Sequence, residues 1–135
     1  MEIREYPAYI EAEVLALYKS VGWTSYTDNP GMLKNAFAGS LKVLAAYEHD
    51  SLIGIIRLVG DGCSILYIQD LLVTPDHQRH GVGTALIKAA LELYPNVYQT
   101  VLMTDDTEKT KSFYAKSGFC NITDIGCTGF MKINR

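Results

Sequence analysis

The sequence predicts a mixed α/β fold, with a central sheet of about seven strands and about four helices covering both its faces. Three observations carry the prediction. The apolar spacing switches between periods of 2 and 3.6 along the whole chain, with no long stretch of either kind alone. The segment Ser64–Val73 is apolar almost throughout, as expected of a central strand covered on both sides. The order that results, β-α-α-β-β-β-α-β-α-β-β, mixes short hairpins with helical crossovers.

Each element has its own warrant. Glu2 to Tyr6 reads as a short strand. Ile10, Val14, Leu17, Tyr18 and Val21 form a helical stripe, which Gly22 stops. Trp23 to Asn29 reads as a loop. Pro30 suits the first turn of a second helix carrying Met32, Leu33, Ala36 and Phe37, and Gly39 ends it. Leu41–Glu48 and Leu52–Val59 are strands joined by the polar hairpin His49-Asp50-Ser51. A turn at Gly60-Asp61-Gly62 leads into Ser64–Val73, which Thr74-Pro75-Asp76 ends. A helix from Gly81 to Leu93 puts Val82, Ala85, Leu86, Ala89, Ala90 and Leu93 on one face, and Pro95-Asn96 breaks it. Val97–Met103 is a further buried strand. Asp105 or Asp106 is placed to cap a helix running to Ser117, with Gly118 after it. Two last strands, Phe119–Asp124 and Thr128–Ile133, are expected to pair around Gly126.

Composition narrows the function. At 135 residues the chain is expected to be one domain, residues 1–135. Hydrophobic residues make up 48% and charged residues 20%, too apolar for disorder and ordinary for a soluble protein. A net charge of −3 argues against a nucleic-acid partner. No apolar run reaches the roughly 18 residues of a membrane span. Met1-Glu2-Ile3-Arg4-Glu5 does not open like a signal peptide, and Cys63, Cys120 and Cys127 form no CxxC pair, so a reducing cytoplasm is the expected location. No metal site is expected.

The chemistry concentrates where a buried strand turns into a helix. Leu71-Leu72-Val73 ends the central strand, and Gln78-Arg79-His80-Gly81-Val82-Gly83-Thr84 opens the next helix. Glycines at 81 and 83 permit positive φ or close backbone approach. Successive amides at a helix start favour an anion, and Arg79 adds a fixed charge beside them. A dinucleotide fingerprint fails, because its third glycine position holds Leu86. A P-loop fails too, because no lysine follows Gly83.

Gln78-Arg79-His80-Gly81-Val82-Gly83 resembles the (R/Q)-x-x-G-x-(G/A) pyrophosphate motif of the GNAT N-acetyltransferase superfamily. Leu71-Leu72-Val73-Thr74-Pro75 looks like that family's fourth strand, and Phe113-Tyr114-Ala115-Lys116-Ser117-Gly118-Phe119 is similar to its F-Y-x-x-x-G-F. The element order matches over essentially the whole chain. Val21-Gly22-Trp23 and Ile68–Val73 are further similar to pieces of arylalkylamine-type members.

The resemblance implies acetyl-CoA as cosubstrate and transfer to an amine by direct attack. It implies a bulged fourth strand that splays from the fifth and lays the backbone of Leu71, Leu72 and Val73 along the pantetheine arm. The amide of Leu72 or a neighbour would polarise the thioester carbonyl. Gln78, Arg79, His80, Gly81, Val82, Gly83 and Thr84 would hold the pyrophosphate, chiefly through backbone amides. Tyr114 would be the general acid for the departing thiolate, since a phenol of pKa about 10 stays neutral at pH 7 and can protonate a thiolate of pKa about 8.5. Relatives carry asparagine and alanine where this chain has Thr107 and Thr110, which leaves a Thr107 contact with pantetheine open.

A base is needed, because an alkylammonium must lose a proton before it attacks. Asp70 is the candidate, a lone carboxylate in an apolar strand whose burial demands a partner or a purpose; a buried structural hydrogen bond is the competing reading. Tyr67 could hold a water instead. Trp23 and Tyr26 are candidates for an aromatic wall or a cation–π face at the acceptor site, or else close the core. The expected acceptor is a small primary amine. A protein lysine or N-terminus and a non-catalytic acyl-CoA-binding module are the alternatives. A homodimer through the final hairpin is a further expectation.

Overall fold

The computed structural model describes residues 1–134, which divide into two units, Met1–Met103 and the chain from Thr104 onward. The first unit is built on a five-stranded sheet in the order β1-β2-β3-β4-β5. The strands are β1 (Glu2–Glu5), β2 (Lys42–Glu48), β3 (Ser51–Gly60), β4 (Ile65–Val73) and β5 (Gln99–Leu102). β1 to β4 pair antiparallel, each with the next; β5 pairs parallel with β4 after a helical crossover.

Helices α1 (Glu11–Ser20), α2 (Thr24–Thr27) and α3 (Pro30–Ala38) lie between β1 and β2 in the chain. The buried residues of α1 and α3, Val14, Leu17, Tyr18, Leu33 and Phe37, pack with Val43, Ala45, Tyr47, Ile55 and Leu72 of the strands. The alternate strand residues Leu44, Ala46, Ile56 and Leu58 are equally buried. They belong to the other face, where α4 (Val82–Leu93) brings Val82, Leu86, Ile87 and Ala90. At roughly 2 kcal/mol for each large side chain removed from water, these two layers supply the unit's cohesion.

Two features shape β4. Its pairing with β3 passes from Leu58↔Ile68 directly to Arg57↔Asp70, so Gln69 has no partner and forms a β-bulge. Its pairing with β5 stops at Ile68↔Leu102. From Gln69 to Val73, β4 is therefore bonded on one side only.

The second unit holds α5 (Glu108–Lys116) and a 3-10 turn at Ile122–Ile125. The expected caps Asp105 and Asp106 are not used. Thr107 caps the helix, its hydroxyl accepting from the amide of Thr110 at 3.3 Å, while Asp105 accepts from the Thr110 hydroxyl at 3.0 Å.

The final two strands are a correction. The Asn121 side chain accepts from both the amide and hydroxyl of Thr123, at 3.1 and 2.8 Å, and bends the chain into a 3-10 turn. Gly126 follows at φ +81°, and residues 128–134 form no strand. The observed sheet therefore has five strands, not seven. Trp23–Asn29, expected as a loop, contains the short α2. No helix among the described residues is long and apolar enough to cross a membrane.

Candidate functional site

The β4–α4 connection is shaped by its own side chains. Thr74 ends the strand, its hydroxyl 2.9 Å from His77 Nδ1. Pro75–His77 make one 3-10 turn. The Gln78 side-chain amide turns back and donates to the Val73 carbonyl at 3.0 Å. Arg79 then adopts φ +67°, uncommon for a residue with a Cβ, and Gly81 follows at φ +82°.

Nothing lies within 4 Å of where a Cβ on Gly81 would sit, so glycine serves the backbone conformation and leaves open space above it. No side chain caps α4. Its first backbone bond runs from the Ala85 amide to the Gly81 carbonyl, which leaves the amides of Val82, Gly83 and Thr84 at the open end. Arg79, His80 and Gly81 are exposed there. Open amides, a helix dipole and a guanidinium in one turn are chemically able to hold an anion, on a chain whose net charge is negative.

The bulge at Gln69 decides which side chains meet. Leu66 and Ile68 share the face of Leu58, toward α4; beyond the bulge Asp70 and Leu72 share the face of Arg57 and Ile55, toward α1 and α3. Asp70 is 2% exposed and accepts three hydrogen bonds. Arg57 Nε donates to its Oδ2 at 2.8 Å, Tyr18 Oη to the same oxygen at 2.8 Å, and Tyr26 Oη to Oδ1 at 3.0 Å. Arg57 also donates through Nη1 to the Ala36 carbonyl and the Ser40 hydroxyl.

Burial works against the Arg57 charge, but the Asp70 carboxylate outweighs it and holds the guanidinium protonated. Burial, with Asp70 beside them, raises the phenols of Tyr18 and Tyr26, so both remain neutral donors. A carboxylate occupied by three donors is poorly placed to take a proton from an incoming ammonium. The competing reading of Asp70, as a buried structural acceptor, describes this geometry.

Arg57 and Tyr18 were not among the expected site residues. A signal was present: Arg57 is the one charge within Leu52–Val59 and Asp70 the one charge within Ser64–Val73. Two lone opposite charges in two apolar strands predict each other as partners.

Trp23 and Tyr26 flank Tyr18, with ring centroids 5.9 and 5.1 Å away in edge-on contact. Both are half-buried against the α1–α3 core. Tyr26 thus joins two of the expected roles, packing on the core while bonding Asp70, and its hydroxyl also meets the Gln69 amide at 3.5 Å. Tyr67 is half-buried; burial raises its phenol, which hydrogen-bonds the Met103 backbone.

In the second unit, Tyr114 on α5 is half-buried between Phe113 and Phe119, at centroid distances of 5.0 and 5.9 Å. Burial first, and the Asp105 charge second, raise its pKa, which keeps the phenol protonated at neutral pH. Thr107, the open contact, commits its hydroxyl to capping α5. Among the described residues, no group of three His, Cys, Asp or Glu gathers as a metal site.

The family model described as "Acetyltransferase (GNAT) domain" matches residues 11–130. A GNAT-family acetyltransferase of Streptococcus pneumoniae is 41% identical, over 99% of this chain and 98% of that one, with a TM-score of 0.90. An aminoglycoside acetyltransferase from an uncultured soil metagenomic sample has a TM-score of 0.73 over 99% of this chain and 97% of that one; at 22% identity the likeness is one of fold alone. A Gibberella zeae protein named provisionally as an acetyltransferase is 30% identical over 57 residues. That match takes in 40% of this chain and 32% of the fungal protein's length.

Proposed function

The chain belongs to the GNAT acetyltransferase family, and from that premise we propose that it transfers an acetyl group from acetyl-CoA to a primary amine of a small molecule by direct attack. The observation that carries the proposal is the conjunction within β4 and its exit. The strand bulges at Gln69, loses its β5 partner after Ile68, and runs into a helix whose first amides are open.

The backbone of Leu71, Leu72 and Val73 would run along the amides of the pantetheine arm on the side that β5 leaves open, the Val73 carbonyl being already taken by the Gln78 side chain. The amide of Leu72 or a neighbour would polarise the thioester carbonyl, a donor role worth about 3–4 kcal/mol in the transition state. Gln78 to Thr84 would bind the pyrophosphate through backbone amides, with Arg79 adding charge and Gln78 bracing the turn. Tyr114 would give its proton to the departing thiolate; a phenol kept neutral by burial suits that role. The amine would lose its proton to water held near Tyr67 and Tyr26 rather than to Asp70, whose oxygens are taken.

The half-buried Trp23 and Tyr26 offer a small aromatic surface, which favours a small amine over a polypeptide. We read residues 1–135 as one catalytic domain, supported by the span of the family match. Three free, exposed cysteines fit a reducing cytoplasm. We also read the protein as a homodimer with the residues after Gly126 at its interface, because Phe130 is 94% exposed and Met131 and Ile133 are exposed beside it; light scattering checks this.

Calorimetry with acetyl-CoA, against ATP as a control for phosphate alone, tests the main proposal. Selective binding of acetyl-CoA, followed by thiol release with a primary amine, is the expected result. Binding without thiol release across an amine panel would favour the acyl-CoA-binding module. No binding of acetyl-CoA would end the proposal.

A further inference from the structure

The hydrophobic pattern of β4 does not fix its own register. The strand reads Ile65-Leu66-Tyr67-Ile68-Gln69-Asp70-Leu71-Leu72-Val73, and past the bulge Leu71, Leu72 and Val73 are apolar at both parities. Sliding that half by one residue would exchange one apolar face for another. Only Asp70 tells the two faces apart. In the observed register its carboxylate meets Arg57, Tyr18 and Tyr26. One residue out, it would face the α4 side among Leu58, Leu86 and Ile87, and Arg57 would be left buried without its counter-ion.

We propose that the buried Asp70–Arg57 pair, closed over by the hydroxyls of Tyr18 and Tyr26, is a register key: it locks the bulge at Gln69 and so holds the Leu71–Val73 backbone in the position that receives the acyl donor. Asp70 is on this account a positioning residue and not the base. The pair sits at the first register position beyond the bulge. Its further bonds reach α1 through Tyr18, α2 through Tyr26, and the end of α3 through the Ala36 carbonyl and Ser40. One ion pair therefore ties the three helices of that face to the strand. The inference rests on the reading of Leu71–Val73 as the acetyl-CoA strand only for its functional consequence; the lock itself is a property of the protein alone.

The test replaces the pair by apolar groups of similar size, Asp70→Leu with Arg57→Met, which removes the key without stranding a charge. The expected result is a folded protein whose Leu71–Val73 amides exchange with solvent at least tenfold faster, and whose affinity for acetyl-CoA falls at least tenfold. A folded double variant with unchanged exchange and unchanged affinity overturns the proposal.

Should that variant not fold, Asp70→Asn and Arg57→Lys decide the matter. The lock predicts that Asp70→Asn raises KM for acetyl-CoA severalfold and leaves the pH profile of kcat in place, while Arg57→Lys keeps acetyl-CoA KM within about threefold of wild type, because charge and reach largely survive. A base at Asp70 predicts the reverse for Asp70→Asn: unchanged acetyl-CoA KM, collapsed kcat, and loss of the limb of the pH profile. That outcome refutes the lock. If wild type binds no acetyl-CoA, the proposed function fails, and the exchange of Leu71–Val73 in the variants still judges the register key by itself.

Discussion

Gly22 and Gly81 offer a controlled comparison, because they share a backbone conformation and differ in neighbourhood. Gly22 stands at φ +79° and Gly81 at φ +82°, and in neither case would an added Cβ meet any atom within 4 Å. Alanine at either site therefore pays only for a left-handed backbone, about 1–2 kcal/mol. For 135 residues the unfolding entropy at the midpoint is about 0.3 kcal/mol/K, so each variant should melt about 4–7 °C lower. Differential scanning fluorimetry should find the two losses alike. Calorimetry should then separate them. Gly81 opens α4 beside the free amides of Val82, Gly83 and Thr84, and a methyl group there intrudes on the space assigned to the pyrophosphate. Acetyl-CoA affinity should fall at least tenfold in Gly81→Ala and stay within twofold in Gly22→Ala. Equal affinity in both variants, at equal loss of stability, would refute the cradle.

Tyr114→Phe should keep acetyl-CoA affinity and lose most turnover, read by thiol release; unchanged turnover removes Tyr114 from the chemistry. Gln78→Ala deletes the 3.0 Å brace on the Val73 carbonyl, so steady-state kinetics should show a higher KM for acetyl-CoA with kcat little changed. Gly54→Ala presses a Cβ to 3.0 Å from the Leu72 carbonyl and 3.4 Å from Leu86, and chemical denaturation should show a loss of about 1–3 kcal/mol from overpacking. The Asp61 carboxylate accepts from the Ser64 hydroxyl and from the amides of Cys63, Ser64 and Ile65, which lowers its pKa. A depressed carboxylate adds stability above its unfolded pKa, about 3.9, and loses it as pH falls through the folded value. The melting gap between wild type and Asp61→Ala should thus be full at pH 6 and close progressively below about pH 4; a gap constant from pH 6 to pH 2 contradicts the assignment.

Much of this fold was legible because its punctuation is local. Pro30 at a helix start and Gly39 at its end act within one turn, and the structure runs α3 from Pro30 to Ala38. The glycine-opened α4 was legible for the same reason. The bulge was expected only through the family resemblance and not from periodicity, because Gln69 sits in a strand whose burial alternates without a break from Leu66 to Leu72, so the change of face leaves no mark in the pattern. The Asp70–Arg57 pair was not read because each strand was taken by itself, and Arg57 is 13 residues away, across the sheet. The last two strands failed differently. Phe119–Asp124 is apolar enough for a strand, but Asn121 and Thr123 bond locally and win the backbone for a turn. Thr107 took the cap of α5 from Asp105 and Asp106 by standing one residue before Glu108, where the first free amides are.

The seam between β4 and β5 beyond Ile68 has a bearing on how long the protein survives. A sheet that opens along one seam is an unfinished fold, and a molecule that lies in the seam finishes it. Occupancy then becomes a component of folding: at a hundred times its Kd, a ligand specific to the native state adds about 2.7 kcal/mol. The melting temperature should track the supply of whatever fills the seam, and proteolytic half-life should track it too. Starved of that supply, the protein would open more often and would be cleared faster.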